Sequence, residues 1–128
     1  MSLVDEFLSE ANVFAVVGAS TNPEKYGHKL FRDLLEAGYH VFPVNPNADF
    51  VLSRKAYDSL SVLPEKPDVV DLVVPPKVSE ELVKQCKELG ITRVWFQPGS
   101  ESNAALRFCE ENGIDFISGL CIMVTRKE

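Results

Sequence analysis

The chain has 128 residues, with 13 Lys and Arg against 19 Asp and Glu, so its formal net charge is −6. That length suits a single domain, 1–128, with a substantial buried core, and the acidic balance argues against nucleic acid as a partner, which asks for a basic face. No apolar run approaches the ~20 residues of a membrane span, the acidic start (Asp5, Glu6, Glu10) lacks the basic region of a signal peptide, and three cysteines without close pair spacing fit free thiols in a reducing cytoplasm.

Ser2–Glu10 reads as a short helix, because Leu3 and Phe7, then Val4 and Leu8, recur at i, i+4 behind a capping Ser2. Val13–Gly18 is the first strand, an apolar run with β-branched residues that stops at a glycine. The helix after it carries Tyr26, Leu30 and Leu34, with Phe31 and Leu35 beside them, and Gly38 ends it. Asn22-Pro23 either caps that helix or belongs to an extra turn before a start near Gly27. The second strand, His40–Val44, holds a proline and runs into Asn45-Pro46-Asn47. Residues 48–66 are irregular, with a turn-like Ser53-Arg54-Lys55 and a brief apolar turn at Leu60-Ser61-Val62-Leu63.

A third strand, Val69–Val74, is stopped by Pro75-Pro76. The next helix is expected to start near a capping Ser79, with Glu80 and Glu81 in its first turn, an inner face of Val78, Leu82, Cys86 and Leu89, and Gly90 as its stop. The fourth strand, Thr92–Phe96, leads into Gln97-Pro98-Gly99-Ser100. A helix over about 101–112 buries Ala105, Leu106, Phe108 and Cys109 and ends at Gly113. The fifth strand is Ile114–Ile117, and the apolar tail Leu120–Val124 suits a last short strand or a docked segment.

Strands alternating with helices define an α/β fold: a Rossmann-like, doubly wound parallel sheet of about five strands with helices on both faces. The expected strand order is 3-2-1-4-5, with right-handed crossovers. In such sheets ligands bind outside the carboxyl ends of the strands, here expected near the switch between strands one and four. Gly18–Lys25, Val44–Asn47, Val73–Lys77 and Gln97–Ser100 meet on that rim. Gly18 permits a sharp turn and a close backbone approach. Ser20, Thr21 and Asn22 set polar side chains beside the unpaired N–H groups of a helix start, which together make a phosphate cradle.

Local positive charge (Lys25, His28, Lys29, Arg32) follows that turn in an otherwise acidic chain, and Lys25 is nearest the cradle. The dinucleotide pattern G-x-G-x-x-G is absent, since the next glycine after Gly18 is Gly27. No acid stands at the end of strand two before Asp49, where a NAD site needs one for the ribose. His28 and His40 form no credible metal set with the cysteines and read as structural or solvated. Asp71 and Asp115 also read as structural, and no Ser-His-Asp or Cys-His catalytic set can be assembled.

V-V-G-A-S-x-N-P-x-K-Y-G at 16–27, P-V-N-P at 43–46, V-V-P-P at 73–76, V-W-F-Q-P-G at 94–99 and a Cys near the C-terminus together resemble the stand-alone CoA-binding domain family. That family is similar in fold to the N-terminal CoA-binding domain of the succinyl-CoA synthetase α subunit. The resemblance runs from about residue 11 to 124. It implies that Gly18, Ala19, Ser20 and Asn22 line the diphosphate of coenzyme A, with Lys25 and Tyr26 beside it. Asn45 and Pro46 would border the adenosine end above Val73, Val74 and Pro75, and Gln97, Pro98 and Gly99 would line the pantetheine path. The chain departs from the family at Ser53, where a glycine is usual, and at Ile122-Met123 after Cys121, where a proline is often found.

The resemblance thus implies a CoA or acyl-CoA binder without catalysis of its own, regulatory or a carrier. One alternative is the CoA-binding subunit of a split NDP-forming acyl-CoA synthetase, whose partner would carry the phosphorylated histidine and the ATP site. Another, of a different class, is an NAD(P)-binding oxidoreductase or redox sensor. Cys86 and Cys109 read as small core residues. Cys121, after Gly119 near the rim, is a candidate for a mixed disulfide with the CoA thiol.

Overall fold

The computed structural model describes residues 2–127. Its sheet is organised around β1 (Val13–Val17), which pairs in parallel with β2 (His40–Val44) on one side and with β5 (Val69–Leu72) on the other. Beyond β5 lie β6 (Arg93–Phe96) and β7 (Asp115–Ile117), again parallel. A two-stranded hairpin, β3 (Phe50–Val51) with β4 (Arg54–Lys55), and a 3-10 turn at Leu60–Val62 occupy the long connection between β2 and β5.

The five strands of the main sheet therefore run β2-β1-β5-β6-β7, that is 2-1-3-4-5, which corrects the expected 3-2-1-4-5. The strand burials give the reason. β5 is buried at all four residues, as an interior parallel strand must be, whereas β2 leaves His40 exposed and Phe42 half-buried. Pro43 offers no N–H to a ladder, which suits an edge strand and not a central one. The switch point accordingly falls between β1 and β5 instead of between strands one and four.

Alternation along β1 feeds two cores. Ala15 and Val17 join Leu72, Val83 and Phe96 under α3 (Pro76–Leu89) and α4 (Asn103–Glu111). Phe14 and Val16 join Phe31, Leu34 and Trp95 under α1 (Leu3–Phe7), α2 (Tyr26–Glu36) and α5 (Ile122–Arg126). Helices thus cover both faces.

Local signals account for most boundaries. Ser2 and Asp5 form a reciprocal capping box on α1, Ser102 caps α4, and Gly90 closes α3 in the left-handed region at φ 76°. α3 starts at Pro76 rather than near Ser79. Proline at the first helical position needs no N–H, so the helix begins three residues early and Ser79 is buried within it instead of capping it. The tail folds as the short helix α5, which Arg126 fastens to α2 through a two-point contact with Asp33 at 2.8 and 3.0 Å.

Candidate functional site at the β1–β5 rim

The turn after β1 is held by backbone contacts closer than any side chain would allow. Gly18 sits at φ 100°, and a Cβ there would lie 2.1 Å from the Val73 carbonyl oxygen. A Cβ on Gly27 would lie 2.0 Å from the Gly18 oxygen. The two glycines let the start of α2 pack straight onto the turn, which in turn packs onto the end of β5. Gly27 thus has a task even though the three-glycine pattern is absent.

From there the loop is wired by its own polar groups. Ser20 Oγ accepts from Asn22 N–H at 3.0 Å and Asn22 Oδ1 from Glu24 N–H at 3.0 Å. Asn45 donates to the Ala19 carbonyl at 2.8 Å, tying the end of β2 to the loop. His28, 6 % exposed, bonds through Nδ1 to the Ser20 carbonyl at 2.8 Å. Because a carbonyl only accepts, Nδ1 carries the proton. The role of His28 in pinning the loop was not visible in the sequence; the i, i+8 separation across a turn and a helix start is no regular spacing.

α2 begins at an N-cap, Lys25, that makes no side-chain cap. Among the described residues the N–H groups of Tyr26 and Gly27 have no acceptor, while those of His28 and Lys29 bond to the Lys25 carbonyl. Free N–H groups at the positive end of an 11-residue helix beside a Ser20–Asn22 turn make a corner whose chemistry suits an anion. Lys25 is exposed at its edge.

Next to this corner, at the ends of β1, β2 and β5, opens a cleft of about 280 Å³. Its walls are apolar (Val17, Val44, Val74, Val78, Leu82) and its polar rim comprises Asn45, Asp58, Ser59 and Gln85. Gly18 and Pro46 complete the edge. The volume lies just below the ~300 Å³ at which ligand pockets usually begin, a size for one ring system instead of a whole nucleotide. Val78, 43 % exposed, leaves apolar surface uncovered at its mouth. A cleft of about 300 Å³ elsewhere, beside the outer edge of β2, touches none of these residues.

Of the sequence-derived site residues, Gly18, Asn45, Pro46 and Val74 line the cleft. Ala19, Ser20, Asn22, Lys25 and Tyr26 form the corner, and Val73 and Pro75 continue the rim, with Val73 N–H bonded to the Val17 carbonyl at 2.9 Å. Pro98 and Gly99 are exposed on the adjoining turn. Gln97 differs: it is fully buried beneath the rim. Its Oε1 accepts from Tyr26 Oη at 2.8 Å and from Ile122 N–H at 3.2 Å. Ile122 N can only donate, which sets the amide's orientation. Nε2 then faces Asp71 Oδ1 at 2.6 Å.

A polar chain therefore runs from the sheet interior to the surface: Asp71, Gln97, Tyr26, Cys121. The proton of Tyr26 is used on Gln97, so the Cys121 thiol is the donor in its 2.6 Å contact with Tyr26 Oη. Burial, then the Cys121 contact, raises Tyr26 above the ordinary phenol range. Burial pushes the Asp71 carboxyl up to about 8, the Gln97 bond opposing it, and Asp71 Oδ2 has no partner among the described residues. Cys86 and Cys109 are buried, their thiols pushed up to about 12 and about 11 by burial, whereas Cys121 is half-buried at the N-cap of α5. Among the described residues, no group of three His, Cys, Asp or Glu could hold a metal and no helix is long and apolar enough to cross a membrane.

A doubly wound parallel sheet with a glycine-shaped anion corner and an apolar cleft at its switch point is a nucleotide-binding domain in architecture. More narrowly, the chain belongs to the CoA binding domain family, whose pattern it matches over residues 12–127. It is 30% identical to the uncharacterized protein YneT of Bacillus subtilis, over 94% of this chain and 90% of that one. It is 36% identical to the alpha subunit of the ADP-forming acetate–CoA ligase II of Pyrococcus furiosus, over 72% of this chain but 20% of the subunit. The chain thus spans about a fifth of that ligase subunit. Among solved structures, a hypothetical protein from Pyrococcus horikoshii superimposes with a TM-score of 0.92 at 38% identity, covering 97% of this chain and 87% of that one.

Proposed function

We propose that this chain binds CoA or an acyl-CoA at the β1–β5 rim without catalysing a reaction by itself, serving as a regulator or carrier. The observation that carries the reading is the continuity of an anion corner with an apolar cleft, joined at Gly18, on the switch point of a CoA binding domain. The residues present fit the ligand on three counts. The free Tyr26 and Gly27 N–H groups and Lys25 suit a diphosphate, and the apolar walls suit an adenine ring. The exposed Pro98–Gly99 turn follows Gln97, which bonds both Tyr26 of the corner and the Ile122 N–H next to Cys121, a setting suited to the pantetheine arm.

A second reading is favoured by the match to the ligase alpha subunit: the chain supplies CoA to a separately encoded synthetase partner that carries the ATP site and a phosphorylated histidine. Both readings require CoA binding, so that is tested first. Melting is compared with CoA, acetyl-CoA, NAD, NADPH and ATP at matched concentration. A ligand at ~100 times its Kd adds roughly 2.7 kcal/mol, a rise of several degrees for a domain of this size. The expected result is a rise with CoA and acetyl-CoA and none with NAD. A rise with NAD alone would move the function to hydride chemistry. A rise with CoA that is enlarged by a synthetase β-type partner, with acyl-CoA turnover, would favour the second reading.

A further inference from the structure

The sequence offers no acid at the end of strand two, but the fold brings one there. After Asn45–Pro46 the chain makes the β3–β4 hairpin, turning at Leu52 and Ser53 with φ of 49° and 64°, and returns against β2. Tyr57 N–H donates to the Pro43 carbonyl at 3.0 Å, and Asn45 N–H donates to the Tyr57 carbonyl at 2.9 Å. The next residue, Asp58, is thereby placed on the rim of the cleft with Asn45 and Pro46. It is exposed and, among the described residues, makes no hydrogen bond or ion pair. Among the described residues no Lys, Arg or His lines the cleft.

In a doubly wound sheet a carboxylate at the end of the second strand accepts from the ribose hydroxyls of a bound adenosine. Asp58 occupies that place although it comes from a later segment. Coenzyme A carries a phosphate on its ribose 3′ oxygen. That group would meet an unpaired carboxylate with no cation in the cleft, in a chain of net charge −6. One cation, Lys55, lines a separate surface cleft together with Asp58, its Nζ 5.4 Å from the centre of the Tyr57 ring.

We propose that Asp58 makes the adenosine cleft selective for a free ribose diol, so that 3′-dephospho-CoA binds at least as tightly as CoA. The inference rests on the reading that the adenosine of CoA sits in this cleft. Unmodified, the ribose gives Asp58 two hydroxyl donors; phosphorylated, it sets like charges against each other.

The test is calorimetric titration of CoA and 3′-dephospho-CoA against the wild-type chain, Asp58→Asn and Lys55→Ala. In the wild type, dephospho-CoA is expected to bind as tightly as CoA or more so, and added salt should move the ratio towards CoA by screening the repulsion. Asp58→Asn is expected to shift the ratio about fivefold towards CoA, the scale of one exposed charge pair, while Lys55→Ala leaves it unchanged. CoA binding measurably tighter than dephospho-CoA, a ratio unmoved in Asp58→Asn, or a ratio that follows Lys55 would overturn the inference and leave CoA binding intact. Binding of neither ligand would overturn the underlying reading and the inference together.

Discussion

Replacing Asp71 by Asn tests whether the carboxyl at the inner end of the polar chain is held neutral. Asp71 is fully buried on β5, with one oxygen bonded to Gln97 at 2.6 Å and the other without a partner. Burial pushes it up to about 8, whereas in the unfolded chain it titrates near 4. Between those two pH values the folded protein holds a proton that the unfolded chain has lost, so stability falls as pH rises. The contribution is fully present below about pH 4 and lost above about pH 8. Each pH unit inside the window changes the unfolding constant by up to about tenfold, on the order of 4 kcal/mol from pH 5 to 8. Asp71→Asn keeps an oxygen for Gln97 but points N–H donors where no acceptor stands, a cost of about 1–3 kcal/mol at every pH. Urea denaturation of both proteins from pH 5 to 8 should therefore show the wild type losing on the order of 4 kcal/mol relative to the variant, which is the more stable of the two at pH 8. Parallel curves would refute the neutral, buried carboxyl.

Lys25→Ala should weaken CoA binding by about tenfold, the scale of one charge-assisted hydrogen bond, with an unchanged melting temperature of the free protein; unchanged affinity in calorimetry would place the phosphates elsewhere. Gly27→Ala should cost about 2 kcal/mol or more, because its Cβ would lie 2.0 Å from the Gly18 oxygen; a loss below about 0.5 kcal/mol in urea denaturation would mean the turn relaxes freely. Incubation with CoA disulfide should give a single CoA adduct by exchange at Cys121, with one CoA thiolate released, and none in Cys121→Ser; equal adduct masses in both would remove Cys121 from the site. Arg126→Ala should cost about 1–2 kcal/mol near neutral pH. Burial alone would raise Asp33, but Arg126 and Lys127 hold it below the usual carboxylate range. This stabilisation is present above about pH 4 and fades as pH falls further, so the deficit of the variant should shrink in acid; a deficit independent of pH would mean the lost packing dominates.

Local pattern decided much of this protein. Alternating and continuous apolar runs, with glycine and proline at their ends, placed all five main strands and the helices between them to within a few residues. Those signals act between neighbours in sequence, where backbone geometry and capping leave few choices. The corner at Gly18 was legible for the same reason: a strand, a glycine and a helix start are consecutive. Strand order was not legible: Pro43 is compatible with an edge strand, but placing β2 there depends on which strands bury both faces, a property of the assembled sheet. Three features belong to the tertiary structure alone. Asp58 reaches the rim only because a hairpin folds the chain back by backbone bonds to Pro43 and Asn45. His28 meets the Ser20 carbonyl only once Gly27 lets α2 press against the turn. Asp71, Gln97, Tyr26 and Cys121 join across four separate segments, where neither periodicity nor spacing can place them, because buried polar groups choose partners by what the packed interior leaves within reach.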